Sequence, residues 1–144
     1  MTKELVPKLI QLVKEDRLLS EHALGTIHVD DLLDNRDEPQ FSDEWMKVYD
    51  DISNKKLTSF IDEITNQQID LLRELVYKKV YRYTSSSDLA GYISDDFGLI
   101  GDALHVNYNN DWLSALLKCY IEHTIPLGAL SKNNYTLFEL LSSI

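Results

Sequence analysis

Cysteine, proline and glycine are scarce in this chain: one, three and five among 144 residues. A lone Cys119 excludes an intramolecular disulfide, and with it the small secreted scaffolds that depend on such bridges. So few turn formers argue against the many tight turns of an all-β fold. No apolar run approaches the roughly 18 residues of a membrane span. The opening MTKELVPKLIQ lacks a signal-peptide pattern, because Glu4 and Lys8 interrupt its apolar residues. These absences together point to a reduced, cytoplasmic protein. Cations are short as well: 14 Lys and Arg stand against 24 Asp and Glu, a net charge of −10. That disfavours nucleic acid as a ligand, since phosphate neutralisation needs clustered Lys and Arg. It equally disfavours an anionic membrane surface.

What the chain does hold is enough apolar material for one core. Hydrophobic residues make up 44%, and a chain of this length buries about 68–70% of its unfolded surface. A single domain over residues 1–144 is expected, without internal repeats. The acid is unevenly spread. Residues 20–51 carry ten acids and two bases, and residues 84–144 carry seven and two. Between them, residues 52–83 carry four acids and six bases.

Helical spacing recurs throughout, which predicts an all-α bundle of six to seven helices. A first helix is expected over residues 3–19, through Leu5, Leu9, Leu12 and Val13. Ser20 has the chemistry of an N-cap for a short second helix, which resumes or ends through Asp30–Asp34. Asn35–Phe41 (NRDEPQF) reads as a loop, with Ser42 capping the helix of Trp45, Val48, Tyr49 and Ile52. Leu57, Phe60, Ile61 and Ile64 continue that pattern in a following or continuous helix. Residues 67–83 form a strong amphipathic helix, although the Tyr-rich VYKKVYRY would also fit a strand by alternation. Asn110 caps the helix of Leu113, Leu116, Leu117 and Tyr120, which must stop before Pro126. Thr136 and Glu139 have capping-box spacing ahead of a short final helix.

The most ordered pattern is Ser87–His105 (SDLAGYISDDFGLIGDALH). At about 100° per residue, Leu89, Ile93, Phe97, Ile100 and Leu104 form one apolar stripe. Ala90, Ser94 and Gly101 make a flank small enough for close helix packing. Asp88, Asp95 and Asp102 recur every seventh residue on the opposite side, with Tyr92 and Leu99 beside them. The predicted partner-binding face is therefore Asp88, Tyr92, Asp95, Leu99 and Asp102, unless a neighbouring element covers its two apolar members. Tyrosine suits a binding anchor, and surrounding acids steer a basic partner.

Catalytic signatures are missing. His22, His28, His105 and His123 are scattered and make no metal-binding pair. Asn107, Asn109 and Asp111 imitate a calcium loop, but Trp112 and Lys118 stand where Gly and Glu are required. The doublets Asp30–Asp31, Asp50–Asp51 and Asp95–Asp96 read as solvated faces, and Asp96–Phe97–Gly98 matches the kinase triplet by chance. Cys119 and His123, one turn apart, form a weak nucleophile pair beside the ordinary reading of a buried thiol. No cofactor, metal site or catalytic residue is expected. The reading that follows is a small acidic protein that binds and neutralises a basic protein partner. Its most specific form is a bacterial immunity protein acting on a cationic toxin such as a nuclease. The alternatives are a helical adaptor or regulatory subunit, an acidic DNA mimic, and, further off, a small hydrolase built from scattered His and Asp.

Overall fold

A computed structural model describes residues 4–144, and among them the only regular elements are eight helices. These are α1 (Leu5–Lys14), α2 (Glu21–Gly25), α3 (Val29–Arg36), α4 (Pro39–Lys56), α5 (Glu63–Thr84), α6 (Ser87–His105), α7 (Asp111–Ile121) and α8 (Leu137–Ser142). The predicted all-α bundle is what forms, with α2 and α8 as single short turns beyond the six longer helices. VYKKVYRY is helical and belongs to α5.

Side-chain caps set most of the helix starts. Ser20, Asp62, Ser86, Asn110 and Thr136 each accept a hydrogen bond from a backbone N–H three residues on. Each satisfies a donor that the helix itself cannot. Thr136 and Glu139 form the complete capping box.

Three boundaries differ from the sequence reading. The first helix ends at Lys14, because Asp16 and Leu19 take left-handed backbone angles and the N–H groups of Arg17 and Leu18 return to the Leu12 carbonyl. That turn inserts Leu18 and Leu19 into the core. The predicted start at residue 3 lies outside the described residues. The loop expected over Asn35–Phe41 shrinks to two residues. Arg36 is still in α3, and Pro39 opens α4 from the N1 position, where its ring pre-sets helical geometry. Ser42 therefore lies inside α4 and donates back to the Glu38 carbonyl instead of capping. Finally, residues 57–62 are not helical, so Leu57 and Phe60 are left on the surface, 83% and 80% exposed.

One apolar core takes side chains from all eight helices. α6 runs through its middle, with twelve of nineteen residues buried. It packs most extensively on α5 and also touches α1, α3, α4 and α7. The small flank faces α5. The Ser94 hydroxyl donates to the Arg73 carbonyl at 3.0 Å. A Cβ on Gly98 would come within 2.8 Å of the Arg73 side chain, and one on Gly101 within 3.1 Å of Ile69. α4 and α5 thus flank α6 on two sides and leave the acidic side of α6 between them.

Two glycine substitutions test this packing. Gly91 has nothing within 4 Å of where a Cβ would sit, so Gly91→Ala is expected to raise stability by about 0.5–1 kcal/mol. Gly101→Leu would drive a side chain into Ile69 and is expected to cost about 1–3 kcal/mol. Urea unfolding of the two variants reads the difference, and a stable Gly101→Leu protein would refute the α5–α6 contact.

Candidate partner-binding groove

The acidic side of α6 forms the floor of a groove. Its walls are Trp45 and Tyr49 of α4 and Arg73 of α5, and Asp95, Gly98, Leu99 and Asp102 line its base. Trp45 and Asp95 are shared with a neighbouring cleft of about 210 Å³, lined also by Arg36, Asp37, Phe41, Met46 and Tyr92. The two depressions together make one shallow, acid-edged surface with an aromatic lining.

Four of the five residues read from the sequence, Tyr92, Asp95, Leu99 and Asp102, line these two depressions, and Asp88 stands outside them, one turn before Tyr92 on α6. Tyr92 is 37% exposed and its hydroxyl donates to Asp37 at 2.9 Å. That hydrogen bond, with burial adding to it, raises the Tyr92 phenol pKa. Asp88 is exposed in the first turn of α6, where a carboxylate favours the helix dipole. Asp95 is half-exposed and pairs with Arg73 at 2.6 Å, and the less exposed Asp102 pairs with Lys56 at 2.8 Å. Leu99 is only 4% exposed. Of the two alternatives left open for the apolar members, Leu99 takes the covered one: it lies beneath Trp45 and Tyr49 of α4 and Arg73 of α5 as the apolar floor of the groove.

Two further members of the site come from α4. Helical spacing puts Trp45 and Tyr49 on the apolar face of that helix with Val48 and Ile52. Val48 and Ile52 are in the core and Trp45 packs partly buried against it, while Tyr49, stacked on Trp45 at 5.6 Å, is turned outward and 47% exposed. Met46 beside them is 49% exposed.

Asp96 is the larger correction. Its doublet with Asp95 reads as a solvated pair, yet Asp96 is wholly buried. Arg36 donates to both its oxygens, Nη2 to Oδ1 at 2.6 Å and Nη1 to Oδ2 at 2.8 Å. Trp45 Nε1 donates to Oδ1 at 2.9 Å, and the Tyr120 hydroxyl donates to Oδ2. One carboxylate therefore receives four hydrogen bonds from α3, α4 and α7. Arg36 also stacks over the Phe41 ring at 4.4 Å and lies 5.7 Å from the centre of the Tyr92 ring. Burial opposes the Arg36 charge, but Asp96 more than offsets it and raises the guanidinium pKa. Burial and then Asp96 push the Tyr120 phenol well above its ordinary value. Helical geometry carries the missed signal: Asp96 falls about 80° from Asp88, beside the apolar stripe and away from Asp95.

The remaining chemistry is sparse. Burial raises the Cys119 thiol pKa, which works against a nucleophilic role. Among the described residues, no three His, Cys, Asp or Glu side chains converge as metal ligands. Nor, among the described residues, is any helix long and apolar enough to cross a membrane.

A family model described as Immunity protein PIM1 matches residues 8–127 of the chain. The matched span runs from α1 past α7 and contains every residue of the groove and of the Asp96 cluster. No curated protein matches the chain.

Removing one partner from a buried ion pair leaves the other charge without compensation, at about 3–5 kcal/mol. Asp96→Ala is therefore expected to destabilise the fold by that order. Asp96→Leu combined with Arg36→Met removes both charges and is expected to recover most of the loss. Chemical denaturation of the single and double variants gives the comparison, and additive losses would show that the two residues do not act as a pair.

Proposed function

The chain belongs to the Immunity protein PIM1 family, and from that premise we propose that it neutralises a basic toxin by binding it along the α4–α6 groove. Membership supports toxin immunity, and the groove supports the location and the chemistry of the partner. The observation that carries the reading is the combination of exposed aromatic and thioether surface (Tyr49, Tyr92, Met46) with carboxylates along the same edge. Tyrosine and tryptophan supply large contact area at low entropic cost, and the acids supply long-range attraction for cations. A cationic nuclease is the most specific partner that fits.

The acids do not all contribute alike. Asp95 and Asp102 are partly neutralised by Arg73 and Lys56, whereas Asp88 has no ion pair among the described residues. Asp88 and the acids of α3 and α4 therefore carry most of the steering field. At contact, a toxin lysine or arginine can replace Arg73 or Lys56 at its carboxylate. Each exchange keeps the carboxylate paired, and the displaced Arg73 or Lys56, on a long and partly exposed side chain, swings out to solvent. Tyr92 is the anchor: it is half-buried, held by Asp37 and supported from below by Arg36.

Binding kinetics against a cationic nuclease toxin that this chain neutralises test the reading. Asp88→Asn and Asp95→Asn are expected to slow association and flatten its salt dependence, with dissociation little changed. Tyr92→Ala is expected to speed dissociation by about ten-fold or more, while stability falls by about 1 kcal/mol, well short of the loss expected for Asp96→Ala. Association that ignores salt, together with unchanged dissociation in Tyr92→Ala, would remove the groove from the toxin interface.

A further inference from the structure

The cleft between α3, α4 and α6, about 210 Å³ in volume, falls below the range of small-molecule sites, about 300–1,000 Å³, and is of a size for one side chain. Its walls are apolar and aromatic: Phe41, Trp45, Met46 and Tyr92. Its side-chain donors are already spent within the chain. Both Nη atoms of Arg36 and the Trp45 indole N–H go to Asp96. The Tyr92 hydroxyl goes to Asp37, and the Ser42 hydroxyl to the Glu38 carbonyl. Arg36 Nε has no partner, but it is buried beyond the reach of a guest. The acceptors are not spent. Asp37 is exposed, accepts from Tyr92, and has no ion pair among the described residues. Asp95 is half-exposed and receives Arg73 on Oδ1 alone. A carboxylate has about four lone-pair sites, so both keep capacity to accept.

An aromatic cleft that offers acceptors and no free side-chain donor selects its guest. A carboxylate or an amide carbonyl finds nothing there to donate to it. A plain apolar side chain fits the walls but strips water from Asp37 and Asp95 without replacing it. A guanidinium meets both demands. It carries five N–H donors, its plane stacks on aromatic rings, and it is more weakly hydrated than an ammonium, so entry costs it less. The chain already uses this chemistry beneath the cleft, where the Arg36 guanidinium lies 4.4 Å from the centre of the Phe41 ring and 5.7 Å from that of Tyr92. The Arg36 charge does not bar a second guanidinium, because Asp96 takes it up in a two-pronged pair. Asp37 and Asp95 then stand against Arg73 alone. We infer that this cleft is a socket for a single arginine side chain, with its plane against the aromatic walls and its N–H groups directed at the Asp37 and Asp95 carboxylates. That the arginine belongs to a toxin rests on the proposed function; the socket itself is measured without one.

Titration of the full chain with the N-acetyl methylamides of arginine, lysine and tyrosine, followed by NMR, gives the test. The arginine compound is expected to shift the Trp45 indole, Met46 methyl and Tyr92 signals to saturation, with a dissociation constant in the millimolar range. The lysine compound should bind more weakly, and the tyrosine compound should not saturate. Asp37→Asn should weaken the arginine compound by about ten-fold, the scale of one charge-assisted hydrogen bond. Met46→Arg seats a guanidinium of the chain's own at the mouth and should abolish the shifts. Thermal unfolding should not change in that variant, because Met46 is half-exposed. Shifts that never saturate, a lysine or tyrosine compound that binds as well as the arginine one, or indifference to Met46→Arg would each overturn the socket. Against a cationic nuclease toxin, Met46→Arg should speed dissociation by about ten-fold or more. Toxin kinetics that respond to Tyr92→Ala but not to Met46→Arg would overturn the socket and leave the groove reading intact. Saturation by the arginine compound, with toxin kinetics that ignore Tyr92→Ala, would uphold the socket and sink the toxin reading.

Discussion

Asp96 is the residue on which the arrangement of this molecule turns. A wholly buried carboxylate is costly, and it is tolerated here because four donors from three helices converge on it. Each donor contributes something different. Arg36 brings the compensating charge from the end of α3. Trp45 ties in α4 without adding charge. Tyr120 brings in α7, and a raised phenol pKa keeps its proton available as a donor. α3 and α4 share few contacts with α6 compared with α5, so this polar junction supplies the directional part of their attachment. An apolar contact in its place would hold the helices together, but it would fix their rotation less tightly.

The rotation matters because the groove is assembled on that junction. Trp45 donates to Asp96 with its indole N–H and lines the groove with its ring. Arg36 pairs with Asp96 and sits beneath Tyr92. Two groove side chains are therefore set by a buried network, not by the surface on which they are seen. A site supported in this way loses little entropy when a partner docks, which favours affinity without additional contacts. The cost is sensitivity: a change at Asp96 alters both stability and the pose of Trp45.

Much of the fold was legible in the sequence because helix caps and apolar spacing are local signals. Ser20, Asn110 and the Thr136–Glu139 box form as read, and α6 shows its stripe and its small flank. The failures fall where a residue's role depended on a distant partner. Asp96 looks like its neighbour Asp95 until Arg36, sixty positions away, is placed against it. Leu99 looks like surplus surface until α4 and α5 rise on either side. Pro39 reads as a loop marker when it is the first residue of a long helix, since proline signals either. Leu57, Phe60 and Ile64 fit helical spacing, yet the chain breaks at 57–62 and turns them outward. For the groove, the sequence revealed the α6 residues but not its α4 wall, because Trp45 and Tyr49 share a helical phase with true core positions.

Net charge, the plainest feature of the composition, proves to be a poor map of the surface. On α6, two of the three heptad-spaced acids are already matched, Asp95 by Arg73 and Asp102 by Lys56. These exposed pairs add little to stability. Their consequence is kinetic. A paired carboxylate projects less field into solvent than a free one, so steering comes from acids whose charge is not matched nearby. Pairing also keeps Arg73 and Lys56 beside the groove, at the positions that the cations of the proposed partner would take. If a basic partner docks as proposed, the groove would already hold a charge balance close to that of the occupied state. A neutral substitution at Asp95 has a double effect on that balance, because it removes an acid and leaves Arg73 unmatched at the edge. In the proposed reading, selectivity for a cationic partner would rest on the pairs as units, and the count of acids alone does not describe it.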